Sequence, residues 1–256
     1  MFMKTETRII GVISGKGGVG KTIVAINLAA VLKEYYDKKV LLIDLNLTTP
    51  HVGLYLGLYA TPTTLNDAIK MDTDIKKCIY EHPCKIDVMP SSIKITDLKD
   101  VNLDFLKQKL EIIKDEYDFI ILDSSPGFGK ESLITLSNCS EVLYVTNPIV
   151  HSVADIIKCR EVCDMLHLKS LGIVNNKIKK KKYELNTKEI ENMVGMKVIS
   201  SIPYDDKVME SIISKTPAIK MSSTIRREFI NLGSVISGEN RKKEGFFPAF
   251  SDLFRF

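Results

Sequence analysis

Short, unbroken apolar runs alternate along this chain with longer stretches whose apolar residues recur every three or four positions. Runs of the first kind are Arg8-Ile9-Ile10-Gly11-Val12-Ile13-Ser14, Lys39-Val40-Leu41-Leu42-Ile43-Asp44, Ile86-Asp87-Val88-Met89-Pro90, Tyr117-Asp118-Phe119-Ile120-Ile121-Leu122-Asp123, Glu141 to Thr146, Leu171 to Asn175 and Val198 to Pro203. They are rich in β-branched residues and bounded by polar or turn residues, which predicts buried strands. Between them, Ile23 to Leu32 is rich in Ala, Leu and Val. Leu103 to Lys114 places Leu106, Leu110 and Ile113 on one helical face, and Ser152 to Leu166 links two strands. Thr61-Pro62-Thr63-Thr64 opens a short helix at Leu65 to Ile69. Asn186 with Glu189 three residues on is a capping box, and helices fill most of 206 to 237. Strands alternating with helices predict an α/β fold, a doubly wound and mostly parallel sheet with helices on both faces. No repeat or linker interrupts it, so residues 1–238 form one domain and 239–256 a tail.

The first strand leads into Gly15-Lys16-Gly17-Gly18-Val19-Gly20-Lys21-Thr22, which matches G-x-x-x-x-G-K-[ST] without a mismatch, and a helix follows. Strand, glycine loop and helix is the setting in which such a loop binds phosphate. The glycines let the backbone turn its N–H groups inward, and the helix N-terminus adds partial positive charge. Lys21 would reach the β- and γ-phosphates and the Thr22 hydroxyl would bind Mg²⁺. In open parallel sheets ligands bind beyond the carboxyl ends of the strands. Asp44 and Asp123 each end a strand, so both should converge on the loop as metal-site acids, Asp123 in the Walker B position after four apolar residues.

Lys16 makes the loop K-G-G-V-G-K-T, which resembles the deviant Walker A signature of the MinD/ParA family of P-loop ATPases, in its MinD-like branch. The resemblance implies a P-loop NTPase fold with ATP and Mg²⁺ sandwiched between two subunits, Lys16 crossing to the partner's phosphates. It implies nucleotide contacts from Lys16, Gly17, Gly18, Val19, Gly20, Lys21, Thr22 and Ile23. Ser124-Ser125-Pro126-Gly127 resembles switch II, and Leu45 to His51 resembles switch I. Asn175-Asn176-Lys177 and Ile202-Pro203-Tyr204-Asp205 resemble the two turns around adenine, so Asn176, Pro203 and Asp205 are the expected base contacts. Asn147-Pro148 to Asp155 resembles a dimer and partner-binding surface. One departure stands out: the family reads D-x-D in switch I, and this chain has Asp44-Leu45-Asn46. Asp44 and Lys16 keep their expected catalytic roles, but an amide at Asn46 neither takes up a proton nor carries charge. Binding should survive and hydrolysis should be slow.

Composition changes this picture little. The chain has 256 residues, 45% hydrophobic and 27% charged, with a net charge of +4, ordinary for one medium globular domain. Five cysteines without C-x-x-C spacing and no signal peptide predict free thiols in a reducing cytoplasm. The turn after Asp123 has no Cys, which argues against a cluster carrier. No apolar run approaches the ~20 residues that span a bilayer, so membrane contact would be peripheral.

The tail bears on that point. After Arg241-Lys242-Lys243 come five of the chain's ten phenylalanines. On a helix Phe246, Phe247, Phe250, Leu253 and Phe254 share one half, and basic residues followed by an aromatic amphipathic helix make an interfacial anchor. One tail would bind anionic lipid weakly; two tails on an ATP-bound homodimer would bind far better. The expectation is a cytoplasmic protein, membrane-associated in its ATP state, that positions another assembly through an unidentified protein partner. The tail could instead pack on its own core or in a protein groove. Lys179-Lys180-Lys181-Lys182 raises a ParA-like, non-specific DNA binder; with no recognition helix, it reads as solvated charge. A nucleotide-bound scaffold with little hydrolysis is the other alternative.

Overall fold

A computed structural model describes residues 6–70, 73–99, 101 and 105–240. The membrane-contacting residues expected in the tail, Phe246, Phe247, Phe250, Leu253 and Phe254, lie outside the described residues.

Among the described residues, eight strands form one sheet: β1 (Arg8–Ile13), β2 (Val40–Asp44), β3 (Tyr80–Glu81), β4 (Asp87–Met89), β5 (Phe119–Asp123), β6 (Glu141–Thr146), β7 (Lys169–Ile178) and β8 (Val198–Pro203). Their order is β3-β4-β2-β5-β1-β6-β7-β8, parallel except for the edge pair β3-β4. The helices are α1 (Lys21–Tyr36), α2 (Val52–Leu56), α3 (Leu65–Ala68), α4 (Leu106–Ile113), α5 (Lys130–Ser137), α6 (Val150–Met165), α7 (Thr187–Val194), α8 (Lys207–Ile213) and α9 (Ser223–Ser237).

The central strands are apolar throughout because both of their faces are covered. In β2, Val40 and Leu42 point into a core with α1, α2 and α9, while Leu41 and Ile43 point into a second core with α3, α4, α6 and α7. Alternation does the same in β5, where Ile121 joins the first core and Ile120 and Leu122 the second. The doubly wound sheet expected from the sequence is therefore present.

Local differences have local causes. β7 extends past Asn175 to Ile178, with shifts in register beside β6 and β8. Gly172, at φ +136° and closed in by Ile199 and the Lys197 carbonyl, allows one of them. The helical stretch after 206 is two helices, separated around Pro217. At the end of α9, the left-handed Gly238 returns its N–H to the Ser234 carbonyl. Arg8 donates to the Ile236 carbonyl, and Lys38 pairs with Glu239. Among the described residues, no helix is long and apolar enough to cross a membrane.

Candidate nucleotide site

β2, β5 and β1 are neighbours within the sheet, and their carboxyl ends carry Asp44, Asp123 and the phosphate loop. Parallel pairing puts Asp44 directly opposite Asp123. The loop between β1 and α1 turns through Gly18 (φ +80°) and Gly20 (φ +95°), conformations that glycine adopts without strain. Gly20 is doubly required, since a Cβ there would lie 2.5 Å from Asn176 Nδ2. Lys21 and Thr22 open α1, and Val19 anchors the loop in the core. The turn after β5 is tied to the loop's entrance, the Gly127 N–H donating to the Ser14 carbonyl at 3.0 Å.

Asp123 is 1% exposed, and neither of its side-chain oxygens has a hydrogen-bond partner among the described residues. Burial pushes its carboxyl up to about 6. The Lys21 charge opposes that rise, as does the Thr22 hydroxyl, which is near but outside hydrogen-bond geometry. Lys21 is itself buried, and desolvation lowers its pKa despite the carboxylate beside it. A buried carboxylate without partners is costly unless something else satisfies it. The oxygens lie beside Lys21 and Thr22, which close the phosphate loop and open α1, so the donor set fits a hydrated divalent cation carried with a polyphosphate. Nucleotide and Mg²⁺ thus fit the residues present.

Asp44 is different. Its Oδ1 accepts the Asn46 N–H at 3.1 Å, and its Oδ2 accepts the His51 and Val52 N–H groups at 3.0 and 2.9 Å. Burial and the neighbouring Asp123 hold its pKa well above the carboxylate range, against the pull of those three donors. This acid shapes the loop from 46 to 52 and satisfies the first N–H groups of α2. Asn46 is engaged at both ends as well: its Nδ2 donates to the Thr49 carbonyl at 2.6 Å, and its Oδ1 accepts the Thr49 hydroxyl at 3.1 Å. His51 stacks obliquely on Tyr55, centroids 5.5 Å apart. Burial and the Lys21 charge both lower the His51 pKa.

On the side of the loop facing β7, Asn176 donates from Nδ2 to the Val19 carbonyl at 2.8 Å, and Lys177 from Nζ to the Gly18 carbonyl at 2.7 Å. Asn147 donates to the Asn176 carbonyl at 3.0 Å and reaches Val19 at 3.4 Å. The ends of β6 and β7 therefore grip the outer side of the phosphate loop. Asn176 was expected in a turn after the strand and lies within β7 itself; the parts played by Lys177 and Asn147 become visible only once the strands are adjacent. Pro203 ends β8 beside Ile178. Asp205 does not offer a free carboxylate. Its Oδ1 takes the Lys207 N–H, and its Oδ2 the Ser222 hydroxyl at 2.5 Å, so it ties α8 to the start of α9. Ile23 is half-buried on α1, and Gly17 and Gly18 are exposed. Lys16 is exposed and points to α6, where its Nζ lies 2.8 Å from His151 Nε2.

The AAA domain family AAA_31 matches residues 7–180, more than half of the chain. The chain is 30% identical to an uncharacterised ATP-binding protein of Methanocaldococcus jannaschii, with 94% of each covered. It belongs to the MinD/ParA family of P-loop ATPases. Among solved structures of that family, the cell division ATPase MinD of Pyrococcus furiosus superposes with a TM-score of 0.86 at 28% identity, covering 90% of this chain and 98% of that one. The septum site-determining protein MinD of Pyrococcus horikoshii, solved in complex with Mg-ADP, gives 0.85 at 27% identity, covering 90% and 96%. The MinD/ParA resemblance carried by residues 15–22 therefore extends through the whole sheet.

Proposed function

We propose that this protein is a MinD-like switch. It binds Mg-ATP, dimerises around it and hydrolyses it slowly. While the dimer lasts it holds a membrane surface through its tail and positions another cellular assembly. The observation that carries the reading is Asp123, buried with both oxygens unpartnered, beside Lys21 and Thr22 at the mouth of a left-handed glycine loop. The complex of the Pyrococcus horikoshii relative with Mg-ADP supports the same ligand here.

In this reading Lys21 and the N–H groups of the loop hold the phosphates, and Thr22 with Asp123 holds Mg²⁺. The ion, when bound, neutralises charge that develops on the phosphate oxygens. Asp44 keeps the switch I loop in reach, and Asn176 and Pro203 frame the base. Slow hydrolysis follows from Asn46, whose amide is engaged at both ends with Thr49 and has no basic atom with which to activate water. Membrane attachment rests on the sequence of residues 239–256, and the dimer on the family signature at Lys16.

Liposome co-sedimentation with anionic lipid, in ATP and in ADP, tests the membrane part. Full-length protein is compared with a chain ending at Glu244. Binding that needs both ATP and the tail supports the reading; equal binding with and without the tail removes the tail as the anchor, and no binding of either chain removes the membrane. Light scattering of the same samples reads the dimer, and phosphate release the turnover.

A further inference from the structure

Lys16 and His151 stand 135 positions apart, yet their side chains meet at 2.8 Å in an exposed contact. The lysine ammonium donates, so His151 Nε2 accepts and the ring proton sits on Nδ1. The seat is built from both sides. A Cβ on Gly15 would lie 2.4 Å from Asp155 Cβ and 2.9 Å from the Asp155 carbonyl oxygen, so α6 packs against the start of the loop itself. The Lys16 carbonyl is fixed by the Ser14 hydroxyl at 2.7 Å. Among the described residues no carboxylate forms an ion pair with Lys16, although Asp155 packs on Gly15 beside it. The first turn of α6 carries no acidic residue, and the positive end of a helix repels an ammonium. Lys16 is therefore placed, but lightly held.

We infer that His151 is a positioning residue for Lys16, a latch that keeps this lysine on its own subunit until dimerisation draws it off. The inference rests on the proposed nucleotide-bound dimer. One side chain cannot lie on its own α6 and on a partner's phosphates at once, so each subunit must release the latch before the dimer is complete. An exposed, charge-assisted contact of this kind biases such an equilibrium about two- to fivefold. Two subunits release two latches, so the dimerisation constant should carry the product, about four- to twenty-five-fold.

Sedimentation velocity in Mg-ATP over a range of protein concentrations tests this on the full chain. His151→Ala should dimerise at about four- to twenty-five-fold lower concentration than wild type. His151→Gln, whose side-chain oxygen also accepts a hydrogen bond, should stay near wild type. The nucleotide affinity of the monomer should be the same in all three. Imidazole nitrogen NMR provides a readout that does not need the dimer, and with four histidines in the chain assignment by single variants is simple. The His151 Nε2 resonance of nucleotide-free protein should move in Lys16→Ala, and Mg-ATP should move the wild-type resonance in the same direction. Wild type and His151→Ala dimerising alike would overturn the latch and leave the dimer standing. No dimer in either would overturn both. A His151 resonance indifferent to Lys16→Ala would overturn the latch whatever the oligomeric state.

Discussion

Replacing Asp123 by Asn should make the nucleotide-free protein more stable while removing its response to Mg-ATP. A carboxyl held at about 6, against an ordinary aspartate value of about 3.9, carries a penalty of roughly 3 kcal/mol at neutral pH. The sign follows from proton binding. Between those two values the folded chain binds more protons than the unfolded one, so stability falls as pH rises through that window, and the penalty is complete above it. Asn at 123 removes the charge but leaves an unpaired buried amide and deprives Lys21 of its neighbouring anion, which together return part of the gain. A net stabilisation of about 1–2 kcal/mol remains, or roughly 3–6 °C in Tm for a chain of this size. Differential scanning calorimetry at pH 7.5 with EDTA reads the first effect, and the shift on adding Mg-ATP the second. Wild type should be raised strongly by ligand and Asp123→Asn hardly at all. A variant less stable than wild type without nucleotide, or one that keeps the whole Mg-ATP shift, would refute the assignment of Asp123 as an acid kept unpaired for its ligand.

Three further outcomes are expected. Asn46→Asp breaks the clasp with the Thr49 carbonyl, since a carboxylate cannot donate to it, and places a base in switch I; phosphate release should rise at least about tenfold, and an unchanged rate would show that Asn46 is not what slows turnover. His82 is buried, with Nε2 on the Lys215 carbonyl and Nδ1 accepting from the Cys84 backbone N–H, and burial lowers its pKa. The unfolded chain then binds the extra proton first, so stability should fall as pH drops below about 6.5; denaturant titrations across that range should show the slope, and His82→Gln should flatten it. Asn27, fully buried on α1, accepts the Ile219 N–H at 2.9 Å. Asn27→Ala leaves that N–H unpaired and should destabilise by about 1–3 kcal/mol, read as a lower urea midpoint with nucleotide affinity little changed.

The parts of the site that were legible in the sequence are those made by adjacent residues. The phosphate loop declares itself because its strand, glycines and helix are contiguous, and Asp44 and Asp123 because each closes an unbroken apolar run. The hidden parts depend on contacts across the chain. Helix α2 has five residues, too few for a periodic signal, and its start is satisfied by Asp44 from eight positions upstream. Helix α5 follows a glycine turn with polar residues on most of its surface, so its pattern is weak. Asn46 and Asp205 were legible as polar residues in the right turns. That Thr49 would occupy one and Ser222 the other could not be read before the fold was known. His151 sits in a stretch recognised as a contact surface, but only the packing of Asp155 on Gly15 brings it to Lys16.

The anchoring of α9 gives the molecule a workable handle. Glu239 is pinned by Lys38 and Ile236 by Arg8, where β1 begins, whereas the phosphate loop starts where β1 ends. Six residues of extended chain separate those two points, about 20 Å. A fluorophore or affinity tag attached at Asn240 therefore lies at the pole opposite the nucleotide, beyond contact with residues 15–22. A reporter built there stands beside the tail and away from the residues that bind nucleotide, so it leaves the nucleotide chemistry untouched.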